Sequence, residues 1–193
     1  MTLNLTSTTT PWLIRPAKPR DADYIRQLWD RYFGGVDTEG GGVVDAAVGE
    51  NEYTWALVAE AGTNRVGAGV ATNYPREHFL EEIVPHEAAA EATAGDADVA
   101  YLNFGAVEPA YRGRGIGRSL FRARERILTT DAPADRAISV CWQRRDAPTS
   151  EPLFRSEGWR EVAAAEDFYH DRTYCPDCGD DCDCPAIIFT KQL

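Results

Sequence analysis

Apolar residues along this chain fall into short runs broken by proline, glycine and charged clusters, with two stretches of helical spacing among them. "WLIRPA" (12–17) predicts a strand that Pro16 ends. In "RDADYIRQLWDRYFGG" the positions Ile25, Leu28, Trp29 and Tyr32 follow a helical step; Asp21 is the N-cap candidate and Gly34 and Gly35 form a stop. Residues 36–52 are glycine-rich and ambiguous. "TWALVAE" (54–60) and "VGAGVATNY" (66–74), joined by "AGTNR", predict a hairpin. The acidic, alanine-rich stretch 75–98 predicts a partly helical insertion on the surface.

"VAYLNFGAV" (99–107) reads as the strongest strand. From Ile116, steps of four, three and four through Leu120, Ala123 and Ile127 predict a helix with Arg122, Arg124 and Arg126 on a solvated face. "RAISVCW" (136–142) is a strand, and "SEPLFRSEG" (150–158) a short helix capped by Ser150 and stopped by Gly158. "WREVA" and "PAIIFTKQL" are the last two strands. With no internal repeat and no linker, the expectation is one α+β domain over 1–193. Its parts are N-terminal strands and first helix (11–74), the insertion (75–98), a strand–loop–helix (99–128) and a C-terminal half (136–193) containing a cysteine-rich loop (175–184).

The 193 residues, 44% of them apolar, suffice for a packed core. No run approaches the roughly 18 apolar residues of a membrane span, and the N-terminus lacks signal-peptide features. A cytoplasmic protein is expected, without membrane partners. A formal net charge of −11 disfavours nucleic acid as a partner. Lys18 and Lys191 are the only lysines, which suits either a high-salt milieu or a GC-rich genome.

Against that acidic background, "EPAYRGRGIGRSLF" (108–121) concentrates arginine and glycine between a predicted strand and a predicted helix. Glycine at 113, 115 and 117 lets backbone approach a ligand closely, and a helix N-terminus adds positive potential, so the natural guest is a phosphate or pyrophosphate. A dinucleotide fingerprint would need glycine at 118 or 120, which are Arg118 and Leu120, and a P-loop would need a lysine.

Arg112-x-x-Gly115-x-Gly117, following "VEPAYRG", resembles the pyrophosphate loop of the GNAT superfamily of acetyltransferases. "LIRPAKPRDADYIRQL" is similar to that family's first strand and helix, and "LFRSEGWREV" to its "LYxxxGFxxx" segment. The resemblance implies a mixed, mostly antiparallel, twisted sheet flanked by helices. It implies acetyl-CoA as co-substrate, with Gly105, Ala106 and Val107 along the pantetheine arm. Arg112, Gly113, Arg114, Gly115, Ile116, Gly117 and Arg118 would surround the pyrophosphate. The implied reaction is N-acetyl transfer to a small-molecule or protein amine.

Four positions depart from the family pattern. The tyrosine many relatives use as acid is Phe154; a frequent asparagine and two glutamates fall at Ala147, Asn103 and Trp142. Tyr169 is the substitute acid candidate, Asp146 and Glu108 are candidate bases, and Cys141 is either a nucleophile or a small core residue. The alternatives are a catalytically silent acyl-CoA-binding module and a zinc-dependent interaction protein.

"CPDCGDDCDC" supplies Cys175, Cys178, Cys182 and Cys184, four soft ligands that suit a structural zinc ion. The loop is short, so His170 replacing one cysteine, or ligation across a homodimer, stays open. Disulfides, a redox-active CxxC and an iron–sulfur cluster are the other readings.

Overall fold

The computed structural model describes residues 11–34, 40–49, 51–170 and 172–193. Its strands are β1 (Trp12–Pro16), β2 (Thr54–Ala61), β3 (Asn64–Pro75), β4 (Asp98–Tyr101), β5 (Gly105–Val107), β6 (Arg136–Trp142), β7 (Arg160–Ala165) and β8 (Ala186–Gln192). They form one mixed sheet in the order β1-β2-β3-β4-β6-β8-β7, with β5 also on β3. Only the β4–β6 pair is parallel. The helices are α1 (Ala22–Phe33), α2 (Gly40–Val48), α3 (Arg76–His78), α4 (Glu87–Ala92), α5 (Ile116–Asp131) and α6 (Glu151–Ser156). The class is α+β, as the sequence implies.

Strand periodicity decides which helix covers which face. Along β2, Ala56 and Val58 pack with Ile25 and Leu28 of α1, while Leu57, Ala59 and Ala61 pack with Ile116 and Leu120 of α5. The two helices thus sandwich the sheet, and the apolar run 56–59 is buried on both sides.

Several local expectations change. Part of the ambiguous stretch 36–52 is helix α2; residues 36–39 and 50 lie outside the described residues. Asp21 does not cap α1 with its side chain. Its buried carboxylate instead takes Arg15 (2.7 and 3.1 Å) and the Lys18 N–H (2.8 Å), and the guanidinium holds its pKa below the usual carboxylate range. Ser150 likewise makes no cap hydrogen bond; Thr149 Oγ1 accepts from the Glu151 N–H at 3.1 Å. The 75–98 stretch is not a surface insertion. Phe79, Val84 and Ala89 are fully buried with Val99, Ile138 and Ile188, so its apolar residues complete the core over the C-terminal half of the sheet.

The strand expected over 99–107 is split. β4 pairs with the Thr72–Pro75 half of β3, and β5 with the Gly67–Gly69 half. Between them the Leu102 N–H donates to Ile138 O, whereas Phe104 O accepts from the Val70 N–H. The chain thus stays on β3 but leaves β6 at residues 102–104, and β6 and β5 diverge. That divergence opens the cleft on which the site is built.

Candidate active site

The loop after β5 is shaped by residues that must adopt left-handed backbone. Gly113 (φ 73°) and Gly115 (φ 84°) do so next to α5, where a side chain would be strained. Among the described residues, no acceptor takes the backbone N–H groups of residues 113–118, which gather at the start of the sixteen-residue helix. Arg112 donates to Val107 O and Arg114 to Ala110 O, and neither meets a carboxylate. Arg118 is committed to Glu157 (2.8 Å), together with Arg122 (2.7 Å). Ile116 contributes only its backbone here, since its side chain is core.

A cavity of about 250 Å³ runs inward from this loop through the strand divergence. Gly105, Ala106, Val107, Arg112 and Gly117 line it. Deeper in, the wall includes Leu102, Phe154, Trp142 and Arg124. Gly113, Arg114, Gly115 and Arg118 are exposed at its mouth.

Arg124 corrects the sequence expectation outright. It is not on a solvated face but buried, at 5% exposure. Its Nη1 donates to Phe104 O (2.5 Å) and Val70 O (3.2 Å), tying together the two strands beside the divergence, and Nε reaches Leu120 O at 3.3 Å. Burial without a carboxylate pulls its pKa down to about 10. Two strand glycines make room for it. A Cβ on Gly69 would stand 2.6 Å from Nε, and one on Gly105 2.5 Å from Nη2. Gly69→Ala is therefore expected to cost about 1–3 kcal/mol of stability, the usual range for overpacking. Thermal melts of Gly69→Ala, Arg124→Ala and the double variant check this, because the double variant should lose less than the sum of the singles.

A second cavity of about 160 Å³ meets the first at Phe33, Asn103, Val140 and Trp142. Tyr169 lines it and stacks on Trp142 with ring centroids 4.0 Å apart. Burial raises the Tyr169 hydroxyl pKa well above its ordinary value. The Trp142 indole N–H is buried and has no hydrogen-bond partner among the described residues. Phe154 sits in the core between Phe121 and Phe189, each 4.9 Å away centroid to centroid. The other candidates do not reach this junction. Asp146 is exposed, Glu108 pairs with Arg31 at 3.0 Å, and Cys141 is buried against Ser150 Oγ.

Four cysteines converge beside the second cavity. The sulfurs of Cys175, Cys178, Cys182 and Cys184 all lie within 4.8 Å of one another, so the loop is long enough to bring all four together. Cys175 and Gly179 exchange backbone hydrogen bonds (3.0 and 2.8 Å), closing a knuckle that Gly179 completes at φ 82°. Backbone N–H groups of Asp177 and Cys178 point at the Cys175 sulfur, that of Cys184 at Cys182, and that of Arg145 at Cys184. Arg144 grips Asp177 in two-point fashion (2.5 and 3.1 Å) and donates to Tyr32 O at the end of α1. The cysteine loop is thereby fastened to both sides of the cleft. Sequence reasoning did not find Arg144.

This fold and loop are those of an acyltransferase, and the acetyltransferase (GNAT) family model matches residues 21–159. The chain belongs to the GNAT acetyltransferase family. No curated protein matches it. Solved structures share its fold at low identity. NAA60 from Arabidopsis thaliana in complex with acetyl-CoA superposes with a TM-score of 0.69 at 14% identity, covering 95% of this chain and 99% of that one. The polyamine N-acetyltransferase of Drosophila melanogaster gives 0.68 at 14%, covering 95% and 100%. The ribosomal-protein-S18-alanine N-acetyltransferase of Escherichia coli gives 0.63 at 15%, covering 95% and 94%. Among the described residues, no helix is long and apolar enough to cross a membrane.

Proposed function

We propose that this protein moves an acetyl group from acetyl-CoA to an amine. The observation that carries the proposal is the row of unclaimed backbone N–H groups at residues 113–118, set where a cleft leads inward from the start of α5. These donors suit the pyrophosphate, with Arg112 and Arg114 adding charge. The pantetheine arm then follows Gly105, Ala106 and Val107 into the strand divergence, and the thioester reaches the junction at Trp142. Acetyl-CoA in the Arabidopsis thaliana NAA60 structure supports the assignment by analogy of fold.

At the junction the amine nitrogen attacks the thioester carbonyl, so a C–N bond forms and the C–S bond breaks. Tyr169 hands its proton to the departing thiolate, and the proton lost by nitrogen is relayed through solvent to the tyrosinate, so no net proton is released. No carboxylate lines either cavity among the described residues, so the amine arrives already neutral.

Gly115→Glu and Gly117→Glu place bulk and negative charge where the phosphates sit, and each is expected to abolish measurable CoA binding in calorimetry. Unchanged CoA affinity in folded protein would remove the proposal.

A structural zinc ion in the four-cysteine cluster is the second part of the reading. About 3.8 Å separates sulfurs around a tetrahedral zinc, given Zn–S bonds near 2.3 Å. The Cys178–Cys184 separation is 3.4 Å and no pair exceeds 4.8 Å, so small adjustments bring all four onto one ion. Four thiolates leave no open position, and the ion's role is to hold the loop.

A further inference from the structure

The second cavity, where the acceptor would lie, has an unusual polarity for a site that takes a cationic amine. Its walls are mostly aromatic, including Trp29, Tyr101 and Phe168, and among the described residues none of its side chains is a carboxylate. The charged side chain in it is Arg172. That guanidinium lies 4.8 Å over the Phe168 ring and donates from Nη2 to the backbone oxygens of Ile83 (3.0 Å) and Glu82 (3.3 Å). Among the described residues it meets no acidic side chain. Trp142 lines both cavities, and its buried indole N–H has no acceptor among the described residues.

A cavity with aromatic walls and the Arg172 cation selects against polyamines and lysine-like acceptors, whose additional positive charge the guanidinium repels. It selects for a body that is flat and apolar and carries anionic oxygen. We infer that the acceptor is an aromatic or large apolar amine bearing a carboxylate, an amino acid in chemical class, whose carboxylate pairs with Arg172. This rests on the acetyl-transfer reading and narrows it. The ring lies among the aromatic side chains, the carboxylate takes the guanidinium's free edge, and the amine is directed toward the thioester at Trp142 and Asn103.

The test compares phenylalanine, phenethylamine and spermidine as acceptors by free-thiol release from acetyl-CoA. Phenylalanine and phenethylamine differ only in the carboxylate. Phenylalanine is expected to have the highest kcat/KM. Arg172→Gln should raise its KM about tenfold or more, the scale of a lost charge-assisted hydrogen bond, while acetyl-CoA affinity stays within about twofold. The preference for phenylalanine over phenethylamine should fall by the same factor. A higher kcat/KM for phenethylamine or spermidine overturns the inference and leaves acetyl transfer standing, as does an Arg172→Gln variant that keeps the preference. If no amine releases thiol, acetyl transfer itself fails. Binding of N-acetylphenylalanine to the CoA-loaded protein, by calorimetry, then decides the cavity's assignment. Affinity that Arg172→Gln abolishes upholds it, and no affinity overturns it.

Discussion

Tyr169→Phe is expected to slow acetyl transfer by about 10²-fold or more while leaving acetyl-CoA affinity unchanged, in line with general-acid contributions. The departing thiolate needs a proton, and the residue at the family's tyrosine position cannot give one. Phe154 is also locked in place, stacked on Phe189 and edge-on to Phe121 and Trp159. Tyr169 lines the second cavity and stacks on Trp142, which lines both. Its burial keeps the phenol protonated, because removing the proton would leave a phenolate out of water. The sign follows directly. An acid whose pKa is raised stays loaded at every pH below that value, so Tyr169 produces no loss of activity between neutrality and pH 10. The rate should instead climb with pH as more of the amine becomes neutral. Rates of wild type and Tyr169→Phe on one competent amine, measured across that range, check both points. Equal rates would show that solvent protonates the thiolate and that positioning supplies the acceleration.

Sequence and structure agree most closely where the chemistry is local. The Gly113 and Gly115 positions demand left-handed backbone, and that demand depends on no distant contact, so the loop between Val107 and Ile116 is readable from its own residues. Arg124 shows the opposite case. A path of four, three and four from Ile116 through Leu120, Ala123 and Ile127 places it outside the buried stripe. The helix in fact buries Ile116, Leu120, Phe121, Arg124 and Leu128. A four-residue step from 116 to 128 passes through 124, and the glycines at 69 and 105 mark the room left for its side chain. That signal exists only once β3 and β5 are known to lie over α5. The same holds for the break at 102–104. The residues from 99 to 107 carry uninterrupted strand character, and only the division of β3 between two partners shows that the run must part. For the 75–98 stretch, acidity outweighed the spacing of Phe79, Val84 and Ala89, which have their partners on distant β6 and β8. Trp142 and Tyr169 are 27 residues apart in sequence, so their stacking is a property of the tertiary fold alone.

Metal removal is expected to loosen the cysteine loop without unfolding the CoA site. Structural zinc in thiolate sites contributes about 10–16 kcal/mol of apparent binding free energy, and where the site is absent in the unfolded chain that binding becomes local folding free energy. Outside the knuckle, residues 175–184 are tied by ion pairs, Arg144 to Asp177 and Arg145 to Asp183, the second of them largely exposed, by the Asp146 N–H on Asp177, and by packing of the cysteines against Phe33, Trp142 and Tyr169. These pairs offset part of the negative charge that the loop's aspartates bring, so they steady the loop but cannot replace a centre that binds all four sulfurs. Without the proposed ion the thiolates would repel or take up protons, and Cys175, Cys182 and Cys184 would be buried with nothing to offset their charge. The disturbance has a direct route to the acceptor cavity, since Tyr169 and Trp142 both line that cavity and pack against the cysteine cluster. Toward the CoA loop the contacts run from Asp177 through Arg144 and Tyr32 to the Arg112 guanidinium, 5.2 Å over the Tyr32 ring, and engage a side chain rather than the Gly113–Arg118 backbone. Hydrogen exchange with and without a strong chelator should therefore show faster exchange over residues 172–186 and unchanged exchange over 107–120. Elemental analysis of protein purified without a metal-affinity tag should find one zinc per chain, and acceptor KM should rise on chelation more than acetyl-CoA affinity falls. Metal-free protein whose loop exchanges identically with and without chelator would refute zinc binding and leave a redox role for the four cysteines.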